Sequence, residues 1–456
     1  MRRLLTTLGI AVVWSLPLHA QLSLADALRT ADRDAYANRV AGANAAVATA
    51  QRLAPLRGVL PSVRLEGGYL RTTDPIGAFG TRLKQREIGQ SDFDPHRLNF
   101  PSPIGDYSAG LVAEQPLFNA DAWIGRRAAR HGANASESAA EWTRLSTRTD
   151  VIRAYYGAVL AAERLAALDA AAEAAHAHVR QAEAMVRAGM VTRSDALLAA
   201  VKAGDVDAQR IEARSDAMIA RRQLALLIGL SSSAEPALPT RLPAVDVIRR
   251  LAADDTLEQT ARTRADVDAA RLGLAAARTD ATRARSLYLP RLNAFARYDW
   301  NSPQRLYGGE RSWTAGVLAS WSVFEGGAQI AETEVAAARM ELATAAADAA
   351  VDQARLEVER SLASLRSALA RLDIAAHAVA QSTEAHRIVT RKYEGGLATV
   401  VELLDAAAVE THSTLALSNA QFAVIAATAE RRRALGGDPG SLTVLDNGAA
   451  VADASH

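Results

Sequence analysis

The feature that most limits what this chain can become is a stretch of nearly 68 residues, from about Asp121 to Ala188. It holds no proline and only three glycines, at positions 125, 132 and 157. As a helix rising 1.5 Å per residue it would reach about 100 Å, longer than a compact domain can use. Apolar positions Leu165, Leu168, Ala172, Ala175, Val179, Ala182 and Val186 step by three and four along it. Val358, Leu362, Leu365, Leu369, Leu372, Ala376 and Val379 repeat the pattern far downstream. Such spacing predicts coiled-coil packing against neighbouring helices. Aromatic residues are only 5% of the chain and alanine is abundant, which suits helices that approach closely.

The recurrence is general, because the chain is written twice. Leu60-Pro61 returns as Leu289-Pro290, and Gln115-Pro116-Leu117-Phe118 is echoed by Trp321-Ser322-Val323-Phe324. Gly189 finds its partner at Gly396, and Leu227-Ile228-Gly229 at Ala434-Leu435-Gly436. The later pairs share an offset of 206 or 207 residues, so the halves are duplicates whose insertions lie early in each. The expected organisation is a leader over 1–20, a first repeat over 21–230, a linker over 231–246, a second repeat over 247–437 and a tail over 438–456. Each repeat reads as helix, two strands, long helix, turn and helix. The first helix is predicted from about Leu24 to Leu53, with Pro55 and Pro61 ending it.

Between the helices the apolar period changes from 3.6 to 2. Val63, Leu65, Gly67 and Tyr69 share one face, and Tyr107, Ala109, Leu111 and Ala113 another, with Val112 the apolar exception opposite. The second repeat supplies Leu292, Ala294, Ala296, Tyr298 and Trp300, then Trp313, Ala315, Val317, Ala319 and Trp321. Small or apolar residues on one side with aromatics toward the ends fit strands with lipid on one face and water on the other, although a soluble sandwich alternates similarly. The segment from Asp74 to Gly105, with four prolines and Phe79, Phe93 and Phe100, is expected to be an extracellular loop.

The N-terminus specifies a compartment. Arg2 and Arg3, an apolar stretch from Leu4 to Leu18, and Leu18-His19-Ala20 make a secretory signal, with Gln21 the expected first mature residue. Removing the two arginines leaves 50 basic against 51 acidic residues, a balance unsuited to nucleic acid. The chain has no cysteine, which excludes disulfides, thiolate nucleophiles and cysteine-ligated metals. No later stretch is apolar enough for a membrane helix. Four strands cannot close a membrane barrel, and open edges in lipid would strand backbone groups at several kcal/mol each. The chain is therefore expected to assemble with copies of itself, eight strands giving a filled interior and twelve a water-filled one.

These junctions and turns resemble the TolC-like outer-membrane efflux proteins over nearly the whole mature chain, about Leu22 to Gly437. The resemblance implies an α+β homotrimer in which four strands per chain make a twelve-stranded outer-membrane barrel continued by a periplasmic helical barrel. It also implies docking to a periplasmic adaptor and an inner-membrane pump, contact with outer-membrane lipid, and no cofactor. The helix-to-strand junctions fall at Pro61 and Pro290, and the tip turns at Gly189, Gly395 and Gly396. Glu402 and Asp405 match the family's paired acids at the periplasmic gate. Tyr393 and Asp195 match a hydrogen-bonded pair that holds the closed state. Ser194 matches a hydroxyl residue in a second link whose arginine position is here Ala398, so the restraint is relaxed or passes to Arg193 or Lys392. The acids also read as helix starts, since Thr399-Val400-Val401-Glu402 is a capping box and Thr192-Arg193-Ser194-Asp195 a looser one.

Two other function classes fit the sequence less well. An enzyme lacks a constellation: the nine histidines are scattered, His176 and His178 point different ways from one helix, and no phosphate loop or nucleophile elbow appears. A soluble periplasmic coiled-coil adaptor or scaffold would explain the rods but not the duplicated hairpins with strands between them.

Overall fold

The computed structural model describes residues 21–231, 233–253, 264–306 and 308–443. The leader over 1–20 and the far part of the tail lie outside the described residues. The elements run α1 (Leu24–Asp34), α2 (Tyr36–Gln51), β1 (Ser62–Thr72), α3 (Pro75–Lys84), α4 (Pro95–Asn99), β2 (Ile104–Phe118), α5 (Ala120–Arg187) and α6 (Arg193–Leu227) in the first half. The second half continues with α7 (Val245–Ala252), α8 (Ala265–Ser286), β3 (Arg291–Ser302), β4 (Glu310–Ser320), α9 (Ala328–Glu394) and α10 (Val400–Ala434). The expected long helices are therefore single elements of 68 and 67 residues. Pro61 and Pro290 stand immediately before β1 and β3. No helix among the described residues is long and apolar enough to cross a membrane.

The chain forms two compact units, and they cut across the repeats. Of the described residues, one unit comprises 21–41, 140–253, Arg264 and 353–443; the other comprises Gly42–Ala139 and those of Ala265–Asp352. Each thus draws on both halves of the sequence.

The first unit is helical, and its core gathers Leu24 and Leu28 of α1, Ile152 and Tyr155 of α5, Leu224 of α6, Ile248 of α7, Leu365 and Leu372 of α9, and Val424 and Ile425 of α10. Polar ties fix the chain around it. The Tyr155 hydroxyl donates to the Leu22 carbonyl at 2.9 Å, and Glu163 accepts from the Leu242 amide at 2.7 Å and the Ser418 hydroxyl at 2.8 Å. Arg148 pairs with both Asp32 and Asp438. Its neighbours hold the guanidinium more strongly protonated than usual, first through the Asp32 hydrogen bond, against the cost of burial. On α9 the buried stripe is Ser361, Leu365, Ala368, Leu372 and Ala375. It runs through Ala368 and Ala375 where the heptad reading had Leu369 and Ala376.

The expected helix from Leu24 to Leu53 is broken at Ala35, whose backbone is extended (ψ 131°). A tertiary contact lies against the break. The turn after α6 puts Gly229, at φ +87°, so close to Asp34 that a Cβ there would sit 2.3 Å from the Asp34 carbonyl oxygen. Asn38 spans the break by donating to the Ala31 carbonyl at 3.0 Å.

The second unit is built on one antiparallel sheet in the order β1-β2-β3-β4. Its register aligns Leu65 with Leu111, Leu111 with Tyr298 and Tyr298 with Trp313, so the four alternating apolar sets share one face. The other face is charged: Arg64 lies 3.8 Å from Glu114, Arg297 lies 3.6 Å from Glu66, and Arg297 donates to Asp299 at 2.7 Å. These pairs are exposed, so each contributes about 1 kcal/mol at most. Pro116 has no amide to donate, and the β2–β3 register shifts between Pro116 and Phe118. Trp321, grouped above with the last strand, lies one residue past β4, its indole donating to the Tyr288 carbonyl at 3.0 Å.

The segment expected as a loop after Asp74 is instead folded. Asp74 and Asp94 each accept an amide from the first turn of a short helix that has proline at its first position, giving α3 and α4. Phe79 and Phe93 pack edge to face at 5.9 Å, and Gln85 donates to the Gly105 carbonyl and the Asp106 carboxylate at 2.9 and 2.8 Å. The segment is thereby tied to the start of β2.

Two glycines with the same backbone handedness should respond differently to alanine. Gly189 (φ +72°) faces open space, whereas Gly229 meets backbone. Gly189→Ala should cost about 1 kcal/mol for the left-handed backbone alone, and Gly229→Ala at least about 2 kcal/mol because the Asp34 segment must move as well. Denaturation followed by helical circular dichroism checks this, and equal shifts would contradict the contact.

Candidate functional site

The site begins with two turns built from the same residue pattern 207 positions apart. At the end of α5 the amide of Gly189 donates to the Val186 carbonyl and that of Met190 to the Met185 carbonyl. At the end of α9 the amides of Gly396 and Leu397 donate to the carbonyls of Tyr393 and Lys392. Both are Schellman turns, and they need a left-handed residue at the position glycine occupies, φ +72° at Gly189 and +75° at Gly396. Gly395 is the last residue before that position, its amide closing on the Arg391 carbonyl at 3.1 Å.

Each turn is followed at once by a capped helix. Thr192 accepts the Asp195 amide, and Asp195 accepts the Thr192 amide at 2.9 Å. Thr399 and Glu402 repeat the box, the Glu402 carboxylate accepting the Thr399 amide at 2.7 Å. The two hairpins are held side by side by a small cluster of Ala182, Ala199, Tyr393, Val400, Leu403 and Leu404.

The cap and the acid pair are thus the same structure. Glu402 and Asp405 are both exposed, on the side of α10 away from the buried Val400, Leu403 and Leu404. Glu402 is engaged as a cap, whereas Asp405 makes no hydrogen bond or ion pair among the described residues. The hydrogen bonds from the Thr399 backbone and side chain, helped by the charge of Lys392, hold the Glu402 carboxyl below its ordinary range.

The tyrosine link is not made within the chain. Tyr393 is 3% exposed, and its hydroxyl has no hydrogen-bond partner among the described residues. Asp195 is close enough for its charge to act on the phenol, yet its carboxylate serves Thr192 instead. Burial first, then that charge, pushes the Tyr393 phenol up. Ser194 is exposed without a hydrogen bond among the described residues, and Ala398 packs against the cluster rather than offering a donor.

Behind the turns the four helices surround a cavity of about 570 Å³ lined in part by His178, Lys202, Asp205, His386, Glu410 and His412. The His178 and His386 rings stand 6.4 Å apart, and His386 Nδ1 pairs with Glu410. Burial, then the facing His386, lowers the His178 pKa. Spacing along one helix could not reveal this pair, because its members lie in different repeats. His176 behaves as a surface residue, pairing with Asp207 at 2.9 Å.

Since the Tyr393 hydroxyl has no partner, Tyr393→Phe should leave stability within about 0.5 kcal/mol of the parent, whereas Tyr393→Ala should cost about 3–5 kcal/mol through the cavity it leaves. A large loss in the phenylalanine variant, read by thermal unfolding, would restore the link. The lowered Glu402 pKa means that its cap is fully formed above the ordinary glutamate range and is lost as pH falls through the lowered value. Hydrogen exchange at the Thr399 amide should therefore accelerate over the intrinsic rate in that window, and Glu402→Gln should abolish the transition.

Comparisons with known proteins follow the same outline. The family described as Outer membrane efflux protein matches residues 40–230 and 256–437. Outer membrane protein OprJ of Pseudomonas aeruginosa is 28% identical over 323 residues, 69% of this chain and 66% of OprJ, just under two thirds of that protein's length. The CmeC outer membrane channel of Campylobacter jejuni has the same fold, with a TM-score of 0.77 at 16% identity over 98% of this chain and 97% of CmeC. The outer membrane protein VceC of Vibrio cholerae gives 0.73 at 20% identity over 91% and 96%. Two matched segments, one in each half and together spanning most of the sequence, make this chain a member of the outer membrane efflux protein family.

Proposed function

We propose that this chain is one subunit of a passive exit duct across the outer membrane and periplasm, narrowed at the hairpin turns by Glu402 and Asp405. The observation that carries the reading is the sheet: four strands, one face apolar with aromatics toward one end, the other face charged, and β1 and β4 each lacking a partner on one side among the described residues. Lipid cannot satisfy those edges, so β4 of one copy pairs with β1 of the next. Three copies give twelve strands and a water-filled lumen, and the charged face with its exposed ion pairs suits that water. The soluble adaptor reading has no support from the family or the sheet.

In a threefold assembly Glu402 and Asp405 form rings totalling six carboxylates, which attract cations and oppose anions. Glu402 both starts α10 and contributes charge, so the cap fixes where the ring stands. A duct of this kind has no motor, and its family suggests that a periplasmic adaptor and an inner-membrane pump supply the energy and choose the cargo.

Unheated electrophoresis of outer-membrane fractions should show a trimer that heat dissociates, whereas a freely soluble monomer would exclude the duct. In planar bilayers Glu402→Ala combined with Asp405→Ala should weaken cation preference and relieve block by multivalent cations several-fold. Unchanged ion selectivity would remove the acids from the constriction.

A further inference from the structure

The apolar face of the sheet carries charge in one place only. Along the register it is small, aliphatic or aromatic apart from Gln115, Ser302 and two charged residues, Arg71 and Arg311. Both are arginines and both lie at the same end, next to α3 and the β3–β4 turn. Arg71 stands two residues beyond Tyr69, and Arg311 two residues before Trp313, so each lies about 7 Å past an aromatic toward the loops. Tyr69 packs on Tyr107 at 4.6 Å, and Arg311 is the cross-strand partner of Trp300.

The arginines of the two faces differ in their partners. On the charged face Arg64 and Arg297 have carboxylates, and in the loop segment Arg82 pairs with Asp92 at 2.8 Å and Arg86 with Glu310 at 3.2 Å. Arg71 and Arg311 are exposed, and neither guanidinium has an ion pair among the described residues. No acid shares their face. A guanidinium just beyond an aromatic band, at the depth where hydrocarbon gives way to headgroups, meets phosphate there, and its planar fork suits that anion.

We propose that Arg71 and Arg311 bind the phosphate headgroup of an outer-leaflet lipid. The proposal rests on the barrel reading above. Closing β4 of one copy against β1 of the next brings Arg311 of the first to the same seam and the same end as Arg71 of the second, so one phosphate is gripped by two chains. The lipid thereby bridges the subunit boundary.

The test uses the purified full chain in neutral detergent, bisphosphorylated lipid A as probe, the same lipid after dephosphorylation, and native mass spectrometry of the bound adducts. Arg71→Gln with Arg311→Gln should weaken lipid A binding about 30-fold, from two guanidinium contacts near a membrane surface. Dephosphorylated lipid should bind the parent as weakly, millimolar inorganic phosphate should not displace lipid A, and Arg71→Lys with Arg311→Lys should keep most of the binding. Equal affinity of parent and glutamine variant, indifference to the phosphates, or displacement by inorganic phosphate would each overturn the proposal, the last assigning the site to a free anion. The same spectra report subunit number. A monomeric parent would overturn the barrel reading, whereas trimers of parent and variant that bind lipid A alike would overturn the lipid site alone.

Discussion

Everything in the second unit follows from the backbone groups along the outer sides of β1 and β4. Strands pair because each amide and carbonyl needs a partner, and four strands in a row leave two lines of them without one. Water could satisfy those lines on a soluble sheet, but this sheet has an apolar face and an aromatic end that suit hydrocarbon. The conflict resolves only if another copy supplies the missing strand. Oligomer formation is then a condition of burial in the membrane and not an addition to an already complete fold.

The helical unit answers a different constraint. Helices of 68 and 67 residues expose so much surface that bulky side chains would hold them too far apart for continuous contact. Alanine at the buried positions Ala172, Ala182, Ala199, Ala203, Ala213 and Ala217 lets backbones approach, and large residues are gathered instead where α1, α7 and the end of α10 thicken the bundle. A small cluster at the turns, with Tyr393 its one aromatic ring, then closes the far end.

Periodicity revealed what is periodic. The two strand pairs, the long helices and the glycine turns with their threonine caps were all legible, because each is set by local chemistry repeated at a fixed offset. The break at Ala35 was not, and the segment packed against it, at Gly229, lies almost two hundred residues away. Asp74-Pro75 and Asp94-Pro95 lie in the segment expected to be a loop, yet the same dipeptides start helices, and only the cap hydrogen bonds distinguish the two uses. The Tyr393–Asp195 bond could not be obtained from matching residue types. The helix cap fixes the Asp195 carboxylate through Oδ2, and that orientation is not encoded in the identity of the two residues.

That orientation bears on how such an end could be gated. The Thr192 amide and hydroxyl both donate to Asp195 Oδ2, so a hydrogen bond from Tyr393 to Asp195 would have to reach Oδ1 without turning the carboxylate out of its own helix cap. The duplicated caps at Thr192 and Thr399 therefore favour turns that keep their internal shape. Opening such an end is more economically done by moving whole hairpins across the Tyr393 cluster than by unwinding α6 or α10, since the cluster is held by nondirectional apolar contact while the caps are directional. In the proposed trimer the acid rings would then travel as rigid passengers of their helix starts, and the width of the passage would be set by how the hairpins of three copies lean on one another.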